Sequence, residues 1–150
     1  MCDYCDCRSH PEIAALSQDH EVLLEHLAEL DDARNADDAG RARGVMADLH
    51  DVLAPHGARE ERGVFHQLRD TLGDPGYVGG FEQDHTRFHE LLDGTNDWKA
   101  ASAELIELLR DHILREESDL FPAAHQLLEP HQWGAIDAAH RVPTLQGGPP

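Results

Sequence analysis

The chain has 150 residues and a formal net charge of −18 at pH 7; 40% of its residues are hydrophobic and 5% are aromatic. This length fits one domain with a substantial core, and the scarcity of aromatic and β-branched runs argues against a sheet protein. The acidic charge repels phosphate backbones and anionic lipid surfaces, so we expect neither nucleic acid nor a membrane as a partner. Twelve histidines strengthen the expectation of a metal site.

The N-terminal segment MCDYCDCRSH lacks the apolar stretch of a signal peptide. No run elsewhere approaches the roughly 20 apolar residues that span a bilayer. We therefore expect a cytoplasmic protein. All three cysteines, Cys2, Cys5 and Cys7, fall in a Cys-rich arm over residues 1–9, a distribution unlike the disulfide framework of a secreted domain.

This arm has two functional interpretations and a passive one. Cys2, Cys5, Cys7 and His10 could bind a second metal ion, or the thiols could be redox-active; otherwise the arm is flexible and has no role. The arm lies only about 15 Å of helix axis before His20. It could therefore cover the mouth of a metal pocket, and we hypothesise a redox-linked accessory role.

The first helix is predicted over residues 11–34. Ser9 stands three residues before Glu12, as in a capping box, and Pro11 suits the first turn. His20 falls on the apolar stripe of this helix. The other members of that stripe are Ile13, Leu16, Leu23, Leu27 and Leu30.

A second helix is predicted over residues 38–72, followed by a Gly- and Pro-rich loop over residues 73–80. Pro55 should bend the helix just before His56, and glycines weaken it further. The apolar stripe includes two polar residues, His56 and Glu60. Its apolar members are Val45, Leu49, Val52, Val64 and Leu68.

Two more long helices are predicted, over residues 81–93 and 97–121. Thr95 or Asn96 is the expected N-cap of the later one, and Pro122 should bend or end it. The residues that share the inner faces are Phe81, His85, Phe88, His89 and Leu92 in the third helix, and Leu105, Leu108, Leu109, His112, Glu116 and Leu120 in the fourth. The chain is therefore all-α, with a bundle over residues 10–128 and a short fifth helix and irregular tail over residues 129–150.

The polar residues on these stripes form a set of metal ligands. Positions four apart point the same way on a helix, so each pair can reach one metal or two adjacent metals. Imidazole and carboxylate suit Fe, Mn or Zn. The predicted ligands are five imidazoles and two carboxylates: His20, His56, Glu60, His85, His89, His112 and Glu116.

Two carboxylates can bridge a pair of iron ions, and an oxo or hydroxo bridge would complete most of the coordination. One position would then stay open, where O2, NO or peroxide could bind. In the fourth helix we choose Glu116, which lies at the centre of the stripe, and keep Glu117 as an alternative ligand or a supporting residue. Ferritin-like bundles use Glu-x-x-His motifs, whereas this chain has His-x-x-x-Glu twice and is richer in histidine.

The order His…His-x-x-x-Glu…His-x-x-x-His…His-x-x-x-Glu resembles the hemerythrin-like (HHE cation-binding) domains over about residues 11–128. The segments HGAREERGVFHQL and HILREESDLFPAAHQLL are most similar to the family's second and fourth helices. The resemblance implies an up-down-up-down four-helix bundle that holds a non-haem di-iron centre on the seven residues above. The second histidine of the third helix matches the O2-carrying members. The final carboxylate instead matches the bacterial members, which argues against simple O2 carriage.

Three functions stay open. The leading one is binding of O2 or a related small ligand, NO or peroxide, for sensing, storage or detoxification. The second is decomposition of peroxide by the same centre, as an enzyme. The third is iron sensing or storage, in which metal occupancy changes the stability of the fold. The oligomeric state is not predicted.

Overall fold

The computed structural model describes residues 6–94 and 97–143, and within these ranges the chain is all-α with no strand. A 3-10 turn (Cys7–Ser9) precedes the first α-helix, and a π-helical segment (Glu116–Leu120) follows the fifth. None of the described helices is both long and apolar enough to cross a membrane. The α-helices are α1 (Pro11–Asn35), α2 (Ala39–Arg62), α3 (Val64–Leu72), α4 (Pro75–Leu92), α5 (Trp98–Arg115), α6 (Phe121–Leu127) and α7 (Pro130–His140).

The four long helices α1, α2, α4 and α5 enclose the core. Helix α1 packs against α2 and α5, and α4 packs against the same two helices, so the contacts close a ring. Helix α7 lies against α1, α2 and α3. Helix α3 follows α2, and α6 follows α5 after the π-helical segment. The buried face of each long helix is mostly apolar, as the stripes predicted, and the predicted ligands together with Ser17 and Ser102 interrupt it.

The core consists of two apolar clusters with a polar layer between them. One cluster includes Leu23, Leu49, Phe88 and Leu105, and the other includes Leu16, Phe65, Phe81 and Phe121. Helices α1 and α4 run from the cluster that contains Phe65 to the cluster that contains Leu49. Helices α2 and α5, with the segments that follow them, run in the opposite direction. On every one of these helices a histidine marks the crossing, so the polar residues share one level of the bundle.

The predicted helix over residues 38–72 is divided in two, and the division is not where we expected it. Helix α2 continues through Pro55 and ends at Arg62, with Gly63 between α2 and α3. Gly63 has φ −101° and ψ −100°, and a Cβ there would lie 2.8 Å from the carbonyl oxygen of Arg59. The break therefore depends on the missing side chain of Gly63 and not on the proline.

The predicted loop over residues 73–80 is wrong, because α4 already begins at Pro75. The side chain of Asp74 accepts a hydrogen bond from the backbone N–H of Gly76 at 2.9 Å. Proline at the first turn needs no backbone donor, so the Asp-Pro pair starts the helix despite the glycines that follow. Cap and proline chemistry thus outweighed glycine content.

The remaining boundaries also reflect local capping. Thr95 and Asn96 lie outside the described residues, and the N-cap of α5 is Asp97, whose side chain accepts from the N–H of Ala100. Pro122 does not end the helical run, because it occupies the first turn of α6 after the π-helical segment. Helix α7 begins with a capping box formed by Glu129 and Gln132.

The glycine at the α2–α3 break provides a stability test. Replacing Gly63 with alanine should lower the free energy of unfolding by about 1–3 kcal/mol, because the new Cβ forces the backbone at Arg59 to shift. Gly44, inside α2, is the control, since nothing lies within 4 Å of its added Cβ. Gly44→Ala should stabilise by roughly 0.5–1 kcal/mol. Urea denaturation of the metal-free variants measures both; equal effects would contradict the proposed origin of the break.

Candidate metal centre

Six of the predicted ligands converge in the polar layer. Their donor atoms form two groups, and within each group all four atoms lie within 4.8 Å of one another. Both glutamates belong to both groups, so each carboxylate could serve two metal ions at once. The groups are His20, His56, Glu60 and Glu116, and Glu60, His85, His112 and Glu116.

Each imidazole turns its Nε2 towards a carboxylate of the centre. Within each His-x-x-x-Glu motif the two residues are one helical turn apart and meet directly. The Nε2–Oε1 distances are 2.8 Å for His56 and Glu60 and 3.0 Å for His112 and Glu116. The other two histidines come from α1 and α4: His85 Nε2 lies 3.1 Å from Glu60 Oε2, and His20 Nε2 lies 3.2 Å from Glu116 Oε1.

The opposite ring nitrogen, Nδ1, contacts a carboxylate in all four histidines. A carboxylate at Nδ1 keeps the proton on that nitrogen, which leaves Nε2 free to bind a metal and holds the ring in place. The four pairs are His20 with Glu117 at 2.8 Å, His85 with Glu61 at 2.9 Å, His56 with Asp19 at 3.0 Å and His112 with Asp84 at 3.0 Å.

Arginines support three of these outer carboxylates. Arg59 donates to Asp19, and Arg115 donates to Asp84. Each arginine lies three residues after the histidine of its own motif, one turn along the helix. Arg8, in the 3-10 turn before α1, lies 3.5 Å from Glu117.

These outer residues reveal an internal repeat that our sequence reasoning missed. Residues 18–20 and 83–85 both read Gln-Asp-His, and residues 56–65 and 112–121 both read His-x-x-Arg-Glu-Glu-x-x-x-Phe. We identified its His-x-x-x-Glu part and, in the second copy, Glu117 as an alternative ligand or a supporting residue. Matching the residues around each predicted ligand would have found the supporting aspartates, the arginines and Glu61 without a structure.

The two copies of the repeat exchange partners across the bundle. Glu61 of the first copy accepts from His85 of the second, and Glu117 of the second accepts from His20 of the first. The final phenylalanines cross in the same way. Phe65 stacks on His85 with ring centroids 5.5 Å apart, and Phe121 stacks on His20 at 5.6 Å. The two halves therefore enclose one shared centre, and neither half holds it alone.

A helix irregularity follows the ligands in both copies. Gly63 interrupts the helix after Glu60 and Glu61, and a π-helical segment starts at Glu116. In the second copy the wider π-helical turn changes the direction of the residues after it, and Phe121 is fully buried. Glu116 and its neighbour Glu117 are both buried, one in the centre and one on His20.

The buried oxygen atoms show that these residues fit a metal pair. All four carboxylate oxygens of Glu60 and Glu116 are buried, and no hydrogen bond with acceptable geometry reaches them. Buried carboxylates without partners are strongly destabilising. The two central and four outer carboxylates face three guanidiniums, which leaves a formal charge of −3 when the histidines are neutral. Two metal cations would satisfy both the oxygens and the charge.

The acid–base properties of these residues agree with this need for positive charge. Burial lowers the pKa of His85, but the adjacent carboxylates of Glu60 and Glu61 outweigh it and raise that pKa to about 10. Burial raises the pKa of Glu60, but His56 and the other imidazoles hold it well below its usual range. The carboxylate of Glu60 therefore stays ionised, and protons on imidazole supply positive charge beside it when no metal is bound.

His89, predicted as a fifth imidazole, belongs to neither donor group of the described residues. It lies about 6 Å further along α4 than His85, one turn beyond the level of the carboxylates. Its ring faces His50 of α2 with centroids 5.9 Å apart. Among the described residues of α4, His85 is therefore the one that contributes to the donor groups.

The predicted second metal site in the arm lies partly outside the described residues, because Cys2 and Cys5 do. Cys7 is buried in the apolar cluster near Ile13. The ring of His10 stacks on Trp133 at 3.7 Å, and its Nε2 lies 3.0 Å from Nδ1 of His125. Among the described residues, Cys7 and His10 do not join a group of metal donors.

The comparison with family models agrees with this geometry. The model of the hemerythrin HHE cation binding domain matches residues 12–124, which include all six converging ligands. No match was found among curated proteins or among solved structures. Because the matched region covers most of the chain and contains the whole centre, this protein belongs to the hemerythrin HHE cation-binding domain family.

Proposed function

We propose that this chain is a non-haem di-iron protein that binds O2 or a related small ligand, NO or peroxide, for sensing, storage or detoxification. The observation that carries the proposal is the sharing of Glu60 and Glu116 between two groups of four donor atoms. Two imidazoles and two shared carboxylates per metal are borderline-to-hard ligands, which suit iron. An iron pair with few protein ligands would supply reversible electron transfer to a small ligand at its open positions.

The protein's own residues orient the ligands and exclude water. Four carboxylates hold the histidine rings by Nδ1, and Phe65 and Phe121 stack on two of those rings. The apolar clusters on both sides of the layer keep the carboxylates dry. A small uncharged or singly charged ligand fits such a site better than an organic substrate does.

We also propose an up-down-up-down order for the four long helices and a cytoplasmic location. The alternation of the chain between the two apolar clusters supports the helix order. Three cysteines within seven residues, in a chain with no others, suit a reducing compartment.

For the arm we propose an accessory role, supported by the contact between Arg8 and Glu117.

Metal content tests the six-residue centre. Iron-reconstituted protein should contain two irons per chain. Glu60→Ala should lose both ions, since it removes a donor from each group, whereas His89→Ala should keep both. His66→Ala is the control, because that ring is 55% exposed and lies in α3. Metal analysis after gel filtration measures this; loss of one iron in His89→Ala would restore the fifth imidazole, and full iron in Glu60→Ala would refute the shared carboxylate.

The outer carboxylates should matter for affinity. Asp19→Asn and Asp84→Asn should each weaken metal binding about 10–100-fold, because asparagine accepts the Nδ1 proton less strongly and no longer pairs with arginine. Asp70→Asn is a matched control, since Asp70 also pairs with a histidine but at the surface. Competition with a chelator gives the affinities. Equal affinities in all three variants would show that the outer residues are not needed.

Spectra distinguish the three candidate functions. If the chain binds O2, the absorption spectrum of the reduced iron protein should change when air is admitted and return when oxygen is removed. Sustained O2 evolution from added peroxide would instead favour the peroxide-decomposing enzyme. Protease sensitivity that differs between metal-free and loaded protein, without any ligand spectrum, would favour iron sensing or storage.

A further inference from the structure

The two copies of the repeat differ in the residues that cover their exchanged histidines. Beside His85, α2 carries Gly57 and Ala58, whereas the equivalent positions of the second copy are Ile113 and Leu114. A Cβ on Gly57 would lie 3.3 Å from Nδ1 of His85, so glycine lets the ring reach the helix surface. Ile113 is only 4% exposed and fills its position.

A cleft of about 350 Å³ lies between α2 and α4 at this place. Its α2 wall consists mainly of small side chains, and its polar lining residues are Glu61, His85, Thr86 and His89. His85 therefore connects the buried centre, through Nε2, with an open space at the surface, through Nδ1. In the first copy, Leu24 occupies the position that corresponds to His89.

The carboxylates that hold the two exchanged histidines also differ in exposure. The side chain of Glu117, which holds His20, is 4% exposed and contacts Arg8. The side chain of Glu61, which holds His85, is 43% exposed. Water competes with the bond from His85 to Glu61 much more than with the bond from His20 to Glu117, so the ring of His85 is held less firmly.

We propose that His85 is a gate: its imidazole turns from the centre into the α2–α4 cleft and opens the metal position that it shares with His112. Metal ions and small ligands then exchange at that position, while the position of His20 and His56 stays closed. His89 and Thr86 provide polar partners for the ring in its outward position. This inference rests on the proposed di-metal centre and makes its two positions inequivalent.

Filling the cleft tests the gate without changing any ligand. Ala58→Phe and Ala54→Phe place an aromatic ring in the space that His85 needs, and Thr86→Phe does so from α4. Leu114→Phe is the matched control, because Leu114 is the equivalent of Ala58 and is 62% exposed. The probe is cobalt(II) added to metal-free protein in a stopped-flow instrument, with final cobalt content and thermal stability measured in parallel.

In the parent we expect two uptake phases. The cleft-filling variants should bind two cobalt ions at equilibrium, with the faster phase slowed about tenfold. Leu114→Phe should match the parent, and Glu61→Ala should speed the faster phase. Azide binding to the iron-loaded proteins should rank the variants in the same way: slower in the cleft-filling variants, unchanged in Leu114→Phe and faster in Glu61→Ala.

The outcomes separate the gate from the proposed function. Two cobalt ions taken up at rates that all three cleft-filling variants leave unchanged would overturn the gate and leave the di-metal centre intact. A parent that binds fewer than two cobalt ions would refute the centre and the gate together. Since three variants enter the cleft from two helices, misfolding of one does not prevent the test.

Discussion

The burial of two carboxylates, Glu60 and Glu116, is the constraint on which the rest of the structure depends. Both side chains are 0% exposed, and their oxygens lack hydrogen-bond partners. Ionised carboxylates in an apolar core destabilise the fold unless cations lie beside them. The four histidines and the proposed metal pair place positive charge beside them, and the outer carboxylates hold the histidine rings in position.

The same layer links metal binding to the fold. Apolar clusters lie on both sides of it, and all four long helices contribute a histidine to it. A shift of one helix along its axis would bury a polar residue against leucine or phenylalanine and remove a ligand. The layer therefore specifies how the helices align, and metal binding stabilises only the correct alignment.

The internal repeat explains both the likeness and the difference of the two donor groups. Each copy contributes a histidine with an aspartate and an arginine of its own, and each receives a glutamate and a phenylalanine from the other. Symmetry of this kind favours two equal positions. The two sides nevertheless differ. Beside His85, Gly57 has no side chain and Glu61 is exposed, whereas beside His20 the buried Glu117 contacts Arg8.

The sequence by itself predicted the helical class and six side chains whose donor atoms converge, because helical periodicity places residues four apart on one face. The order of its His and Glu motifs indicated the family. It could not show that His89 lies outside both donor groups, because periodicity gives the direction of a side chain around its helix but not the level of the centre along the bundle. The break at Gly63 and the early start of α4 at Pro75 depended on backbone and capping geometry. Only the tertiary structure paired Glu61 with His85 and Glu117 with His20, since those contacts join helices distant in the chain.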